Sequence, residues 1–155
     1  MGFEIERKFL VKGDFKSKSH ASYVIKQGYL SFSATSVTRV RVRDDKGFIT
    51  IKSQAVIGEI KRSEWEYEIP VQDALDMLKL CDKGLIDKRR FLVEVGSHTF
   101  EVDEFYGDNE GLVVAEVELG SEDEYFESPD WLGEEVTGDP RYYNSSLVNC
   151  PYKDW

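Results

Sequence analysis

The stretch Phe3-Glu4-Ile5-Glu6-Arg7-Lys8-Phe9-Leu10-Val11 alternates without interruption. Phe3, Ile5, Arg7 and Phe9 share one parity, while Glu4, Glu6, Lys8 and Leu10 share the other. A period of two marks a β-strand with two chemically different faces. The same alternation recurs at Val37 to Arg43, Phe48 to Ser53, Glu64 to Ile69, Arg89 to Val95, Thr99 to Phe105 and Leu112 to Leu119. Asp44-Asp45-Lys46-Gly47 and Gly96-Ser97-His98 separate neighbouring runs as hairpin turns do, so the strands should pair antiparallel. The chain therefore reads as mainly β, in the α+β class.

Helical spacing is confined to short segments. Ala74, Leu75, Met77, Leu78 and Cys81 predict a helix over Val71 to Cys81 that covers one flank of the sheet, with Gly84 able to end it. Ser121 followed by Glu124 has the form of a capping box, which predicts a short helix stopped by Pro129. From Ser128 to Trp155, Pro, Gly and Asn mix with aromatics, which predicts an irregular packed segment with one helical turn after Asn144.

A length of 155 residues fits one domain over residues 1–155, since domains usually run to roughly 100–200 residues. With 41% hydrophobic and 13% aromatic residues, the chain is too apolar to be disordered, and its charges are spread too evenly for a membrane protein. Twenty Lys and Arg against thirty Asp and Glu leave a net charge of −10, which disfavours nucleic acid and anionic membranes as partners. Cys81 and Cys150 form no C-x-x-C pair, and His20 and His98 have no ligand-like spacing, so neither a disulfide framework nor a zinc site is expected. Charges within Met1 to Leu10 break the apolar run of a secretory signal, and a cytoplasmic location is expected.

The charges are segregated by strand. Residues at i and i+2 share a face about 6.6–6.8 Å apart, so Glu4 and Glu6 are neighbours, as are Arg41 and Arg43, Lys88 and Arg90, and Glu116 and Glu118. Glu64, Glu66 and Glu68 form a longer acidic row. An ordinary sheet with a solvated face would normally intersperse signs to avoid like-charge neighbours. If the strands curl so that these faces line an interior, acidic rows suit divalent cations and basic rows suit an oxyanion-rich ligand. Phosphate chains with magnesium satisfy both, because magnesium takes one or two carboxylates together with substrate phosphates, and arginine binds phosphate bidentately.

Glu4-Ile5-Glu6-Arg7-Lys8 resembles the E-x-E-x-K signature of CYTH-domain proteins, the triphosphate tunnel metalloenzymes. The resemblance continues in order through Gln27-Gly28-Tyr29-Leu30, Arg41-Val42-Arg43, Lys52, Glu66-Tyr67-Glu68, Lys88-Arg89-Arg90, Asp103, Glu116-Val117-Glu118 and Gly133-Glu134-Glu135-Val136-Thr137-Gly138. It implies a closed eight-stranded antiparallel β-barrel with flanking short helices, whose tunnel binds a triphosphate with Mg²⁺ or Mn²⁺. By similarity, Lys8, Arg41, Arg43, Lys52, Lys88 and Arg90 would grip phosphates, with Lys26 and Arg141 as further candidates. Glu4, Glu6, Glu66, Glu68, Asp103, Glu116 and Glu118 would face the metal, and Glu4, Glu6 and Lys8 would be catalytic. Arg39 shares the face of Arg41 and is a weaker candidate. Some family members carry Lys where Pro140 stands here, a basic group this chain lacks.

The implied activity is hydrolysis of a triphosphate, with inorganic triphosphate leading, as in short bacterial members of the family. Cyclisation of ATP, hydrolysis of thiamine or nucleoside triphosphates, and non-catalytic binding of polyphosphate or nucleotide are the alternatives. A homodimer is compatible with the sequence.

Overall fold

The computed structural model describes residues 2–54 and 61–155. Nine strands run through the described residues: β1 (Gly2–Val11), β2 (Ala21–Phe32), β3 (Ser36–Arg43), β4 (Lys46–Ser53), β5 (Lys61–Ile69), β6 (Ile86–Val95), β7 (His98–Phe105), β8 (Val113–Glu118) and β9 (Leu132–Glu135). The sheet order is β5-β4-β3-β2-β6-β7-β8-β1-β9, and a further pairing of β5 with β1 closes eight strands into an antiparallel barrel. β1 makes the closure by changing partners on one edge. Its first residues pair with β5, from Gly2↔Glu64 to Ile5↔Lys61, and its last pair with β9, as in Phe9↔Glu135. The other edge runs against β8, with Lys8 opposite Glu116.

Closure turns the charged parity inward. The apolar parity faces out and is buried only where other segments cover it. Helix α1 (Val71–Leu78) lays Ala74 and Leu78 on Val40, with Cys81 beside them and Val42 and Ile69 packed around. Phe9, Phe100, Val102 and Val117 lie beneath Phe15, Trp131 and Leu132 in a second apolar cluster. Where nothing covers the barrel, Phe3, Ile51 and Tyr67 remain exposed. A third cluster fills one end of the interior: Ile86, Phe105 and Val114 point into the barrel and meet Tyr142 and Leu147 of the C-terminal segment. The helical turn α2 (Asn144–Leu147) is therefore an end-plug.

The structure adds one strand that the alternation did not mark and corrects three local expectations. Residues Ala21–Phe32 form the longest strand, although their alternation is broken by Gly28, Leu30 and Ser31. The capping-box helix does not form: the Glu124 carboxylate accepts from the Gly120 amide at 2.9 Å and also meets His98, while Ser121 donates to Asp123. Phe126 is drawn instead against Phe9 and Phe100, which holds this stretch extended. Leu132–Glu135 is a strand rather than irregular chain, and Arg7 ties it down by donating Nε–H to Glu135 at 2.8 Å. Helix α1 ends at Leu78, and successive turns rather than Gly84 carry the chain onward.

Gly28 shows how tightly α1 meets the barrel. A Cβ placed there would lie 2.6 Å from Cys81 Sγ and 2.9 Å from Leu85 Cδ2, inside contact distance. Gly28→Ala is expected to lower stability by about 1–3 kcal/mol through overpacking, read as a shift of the urea midpoint, with Cys81→Ala in the same chain recovering part of it. An unchanged midpoint would show that α1 is free to lift.

Candidate active site

The barrel interior encloses a cavity of about 400 Å³ whose lining is divided by charge. Strand alternation supplies each wall. β1 contributes Glu4, Glu6 and Lys8, β3 contributes Arg39, Arg41 and Arg43, and β6 contributes Lys88 and Arg90. Lys52 comes from β4, Glu64 and Glu66 from β5, Glu101 from β7, and Glu116 and Glu118 from β8. Gln27 and Tyr29 of β2 stand beside the arginines, and Tyr143, Asn144 and Ser145 close the end at the plug.

Opposite charges meet across the strands, some neighbouring and some one strand apart. Lys52 Nζ donates to both Glu4 oxygens at 2.9 Å, and Lys8 Nζ stands 3.7 Å from Glu116 Oε1. Arg39 donates to Thr50 Oγ1 at 3.1 Å, and the Thr50 hydroxyl donates to Glu66 at 3.0 Å. The Arg39 Nε–H is buried and has no partner among the described residues. Arg43 stacks on the rings of Phe48 and Tyr23.

These surroundings push the carboxyl groups apart in acidity. Burial alone would raise the pKa of Glu4, but Lys52 outweighs it and holds the group well below its usual range. Its neighbour Glu64 goes the other way, up to about 7, through burial and its hydrogen bond to Glu4. Glu116 and Glu6 repeat the pattern. Glu116 is held low against burial by Lys8 and Arg90, whereas burial and the charges of Glu116 and Glu4 raise Glu6 well above normal. In each pair one carboxyl group is held low and its neighbour is raised. On the basic wall, burial and the neighbouring Arg39 and Arg90 lower Arg41 to about 9.

The acidic sector fits a divalent cation of the magnesium type. Among the described residues, no three carboxylate, imidazole or thiol groups stand close enough to form a ready-made cage. Magnesium needs none, because it keeps several waters and binds through one or two carboxylates plus substrate phosphates. The raised Glu6, crowded by two acidic neighbours, marks a point where positive charge is in deficit.

A CYTH domain model matches residues 2–144. This chain belongs to the CYTH-domain family. It is 49% identical over 156 aligned positions to an inorganic triphosphatase of Acetivibrio thermocellus, covering 100% of this chain and 99% of that protein. It is 38% identical to an inorganic triphosphatase of Nitrosomonas europaea over 94% of this chain and 96% of that one. Among solved structures, the inorganic triphosphatase NE1496 superposes with a TM-score of 0.69 at 33% identity, covering 96% of each chain. The putative adenylyl cyclase HpAC1 from Hippeastrum shares the fold at 16% identity, with a TM-score of 0.56 over 78% of this chain and 80% of that one.

Most of the residues singled out in the sequence of this CYTH domain meet at the cavity, and four do not. Lys26 has the outward parity of β2 and is exposed. Arg141 lies outside, donating to Asp139 at 2.8 Å and stacking over Tyr142 and Trp155. Glu68 is exposed beyond the lining. Asp103 has the inward parity but is consumed in ion pairs: it accepts from Lys88 Nζ at 2.7 Å and from Arg90 Nε and a terminal guanidinium nitrogen at 2.7 and 2.9 Å. It braces two cations rather than facing a metal. Arg39, the weaker candidate, and Glu64 of the acidic row also line the cavity, as do Arg62 and Glu101, which were not singled out from sequence. The i+2 rule pointed to Arg39 and Glu64, and it would have reached Glu101 from Asp103, whereas nothing periodic marks Tyr143 to Ser145.

Removing the brace should be costly, because it leaves Lys88 buried without its counter-ion and Arg90 with Glu101 alone. Asp103→Asn is expected to destabilise the fold by about 3–5 kcal/mol in chemical denaturation. The effect should shrink at low pH. Burial would raise the Asp103 pKa, but Arg90 and Lys88 lower it below its ordinary 3.8, so its stabilisation is full above that value and lost as pH falls through the folded one. Lys26→Ala and Arg141→Ala should stay within about 0.5 kcal/mol of the parent.

Proposed function

We propose that this CYTH domain is a divalent-metal-dependent hydrolase of inorganic triphosphate, releasing phosphate and pyrophosphate. The observation that carries the reading is the cavity divided into a carboxylate sector and an Arg/Lys sector, together with the inorganic triphosphatases that match the chain end to end. Three anionic phosphoryl groups in a row need cations along their whole length, and β3, β4 and β6 supply them at the i+2 repeat of the strand.

In this reading, Arg39, Arg41, Arg43, Lys52, Lys88 and Arg90 hold the phosphate chain, and Lys8 neutralises charge at the reacting end. Glu4, Glu6, Glu116 and Glu118 hold Mg²⁺ or Mn²⁺, with Glu64 and Glu66 at the edge of that sector. When bound, the cation supplies charge neutralisation and polarises a phosphoryl oxygen. Arginines and lysines fixed before the substrate arrives stabilise the charge that moves onto the leaving pyrophosphate. Glu4, held ionised by Lys52, is suited to orient the attacking water. No helix among the described residues is long and apolar enough to cross a membrane, and a small free anion is the substrate this cavity suits.

The test is release of phosphate from inorganic triphosphate, ATP and pyrophosphate with Mg²⁺, Mn²⁺ or EDTA, with products separated by chromatography. Cleavage of triphosphate well above ATP is expected, abolished by EDTA. Glu4→Gln and Glu6→Gln should each lower kcat by about a hundredfold or more while the protein stays folded. Cyclic AMP and pyrophosphate from ATP would move the protein to the cyclases, and metal-independent turnover would defeat the proposal.

A further inference from the structure

The C-terminal plug does more than fill the end of the barrel. Asn144, the first residue of α2, lines the cavity and is half-buried. Its Oδ1 accepts from Lys88 Nζ at 2.9 Å and, more weakly, from Gln27 Nε2 at 3.3 Å. The orientation of Gln27 is itself fixed, because its Oε1 accepts from Arg41 Nε at 2.8 Å and its Nε2 also donates to Tyr29 at 3.0 Å. Hydrogen bonds thus run one way, from Arg41 through Gln27 to Asn144 and from Lys88 to Asn144. With two donors on its oxygen, the Asn144 amide must turn its NH₂ the other way. That NH₂ makes no hydrogen bond among the described residues, and its residue faces the cavity.

The lysine depends on this contact for its aim. Lys88 Nζ is almost wholly buried and is held by two groups, Asp103 Oδ2 at 2.7 Å and Asn144 Oδ1. Asp103 comes from the adjacent strand and fixes the ammonium against the wall. Asn144 comes from the plug and fixes it along the barrel axis. The preceding residues of the same segment serve Lys8 in a similar way: Lys8 Nζ donates to the Tyr142 carbonyl at 3.2 Å and lies 5.3 Å from the centre of the Tyr143 ring.

We infer that Asn144 is a substrate-positioning residue of the triphosphate site: its Oδ1 fixes Lys88 and Gln27, and its Nδ2 donates to a phosphoryl oxygen. The inference rests on the triphosphatase reading for the identity of the ligand. A neutral donor suits this place. It adds direction without adding charge to a wall that already carries Lys88, Arg41 and Arg90, whose mutual repulsion another cation would increase.

Two substitutions separate the functions of the two amide atoms. Asn144→Asp is nearly isosteric and keeps an acceptor for Lys88 and Gln27, but it presents an anionic oxygen to the ligand in place of the NH₂. Asn144→Ala removes both. Steady-state phosphate release, the thermal midpoint, and the rise of that midpoint on adding inorganic triphosphate are measured for each. For Asn144→Asp, the midpoint without ligand should match or exceed the parent, KM for triphosphate should rise about ten- to hundredfold, and the triphosphate-induced rise should be lost. For Asn144→Ala, kcat should fall as well, because Lys88 loses its aim. A parental KM in the folded Asp variant overturns the proposal, as does an activity loss in both variants that merely tracks the folded fraction. If the parent binds triphosphate without cleaving it, the hydrolase reading falls and the midpoint rise alone judges Asn144. If the parent neither binds nor cleaves it, both fall.

Discussion

The constraint on which the rest of this structure depends is electrostatic: a closed barrel has turned rows of like charges inward, out of bulk water. Each buried charge carries a desolvation penalty of several kcal/mol, and an i+2 neighbour of the same sign adds to it. The barrel relieves this across strands rather than along them. Glu4 finds Lys52, Glu116 finds Lys8, Glu66 lies near Arg39, and Asp103 takes both Lys88 and Arg90. Where burial and neighbouring carboxylates outweigh the nearby lysines the carboxyl pKa rises instead, as at Glu6 and Glu64.

Not all of these pairs are equal, and the difference sorts structure from chemistry. Asp103 is satisfied on both oxygens by short bonds from Lys88 and Arg90, two residues of β6. The pair of Lys8 and Glu116, at 3.7 Å, is looser, and both groups face the cavity. Arg39, with its Nε–H unpartnered, and Arg43, stacked only on aromatic rings, retain donors for an incoming anion. A site of this kind is stable enough to fold without ligand, yet leaves charge that a phosphate chain and its cation complete.

The sequence made this arrangement legible where the strand period is clean. β1, β3 and β8 alternate strictly, so Glu4, Glu6, Lys8, Arg41, Arg43, Glu116 and Glu118 could be placed on one face from residue order alone, and all reach the cavity. β2 was not legible. Gly28 sits where Cys81 and Leu85, just after α1, press against the barrel, and buried residues on both faces of that strand blur the period; Lys26, a candidate for its place beside Gln27-Gly28-Tyr29-Leu30, has the outward parity. Asp103 was read with the right parity and the wrong role, because parity says which way a side chain points and not what already holds it. The plug was invisible for a different reason: Tyr143 to Ser145 reach the site through the apolar contacts of Tyr142 and Leu147 with Ile86 and Phe105, which are remote in sequence.

Those apolar contacts are also why the polar end of the site can be well ordered. Leu147, Tyr142, Ile86 and Phe105 are nearly or wholly excluded from solvent, and their burial anchors a segment that has only a single helical turn of its own. An isolated turn of that length would not hold its shape, since helix nucleation in water is unfavourable. Its geometry is borrowed from the barrel end it fills, and in return it delivers an amide oxygen to Lys88 and a carbonyl to Lys8. The end of the barrel is thus closed against water by residues one turn away from those that set the direction of its cations. Loosening the apolar plug would therefore disturb the basic wall before it disturbed the sheet, because the strands are held by their own ladder and the two lysines are not.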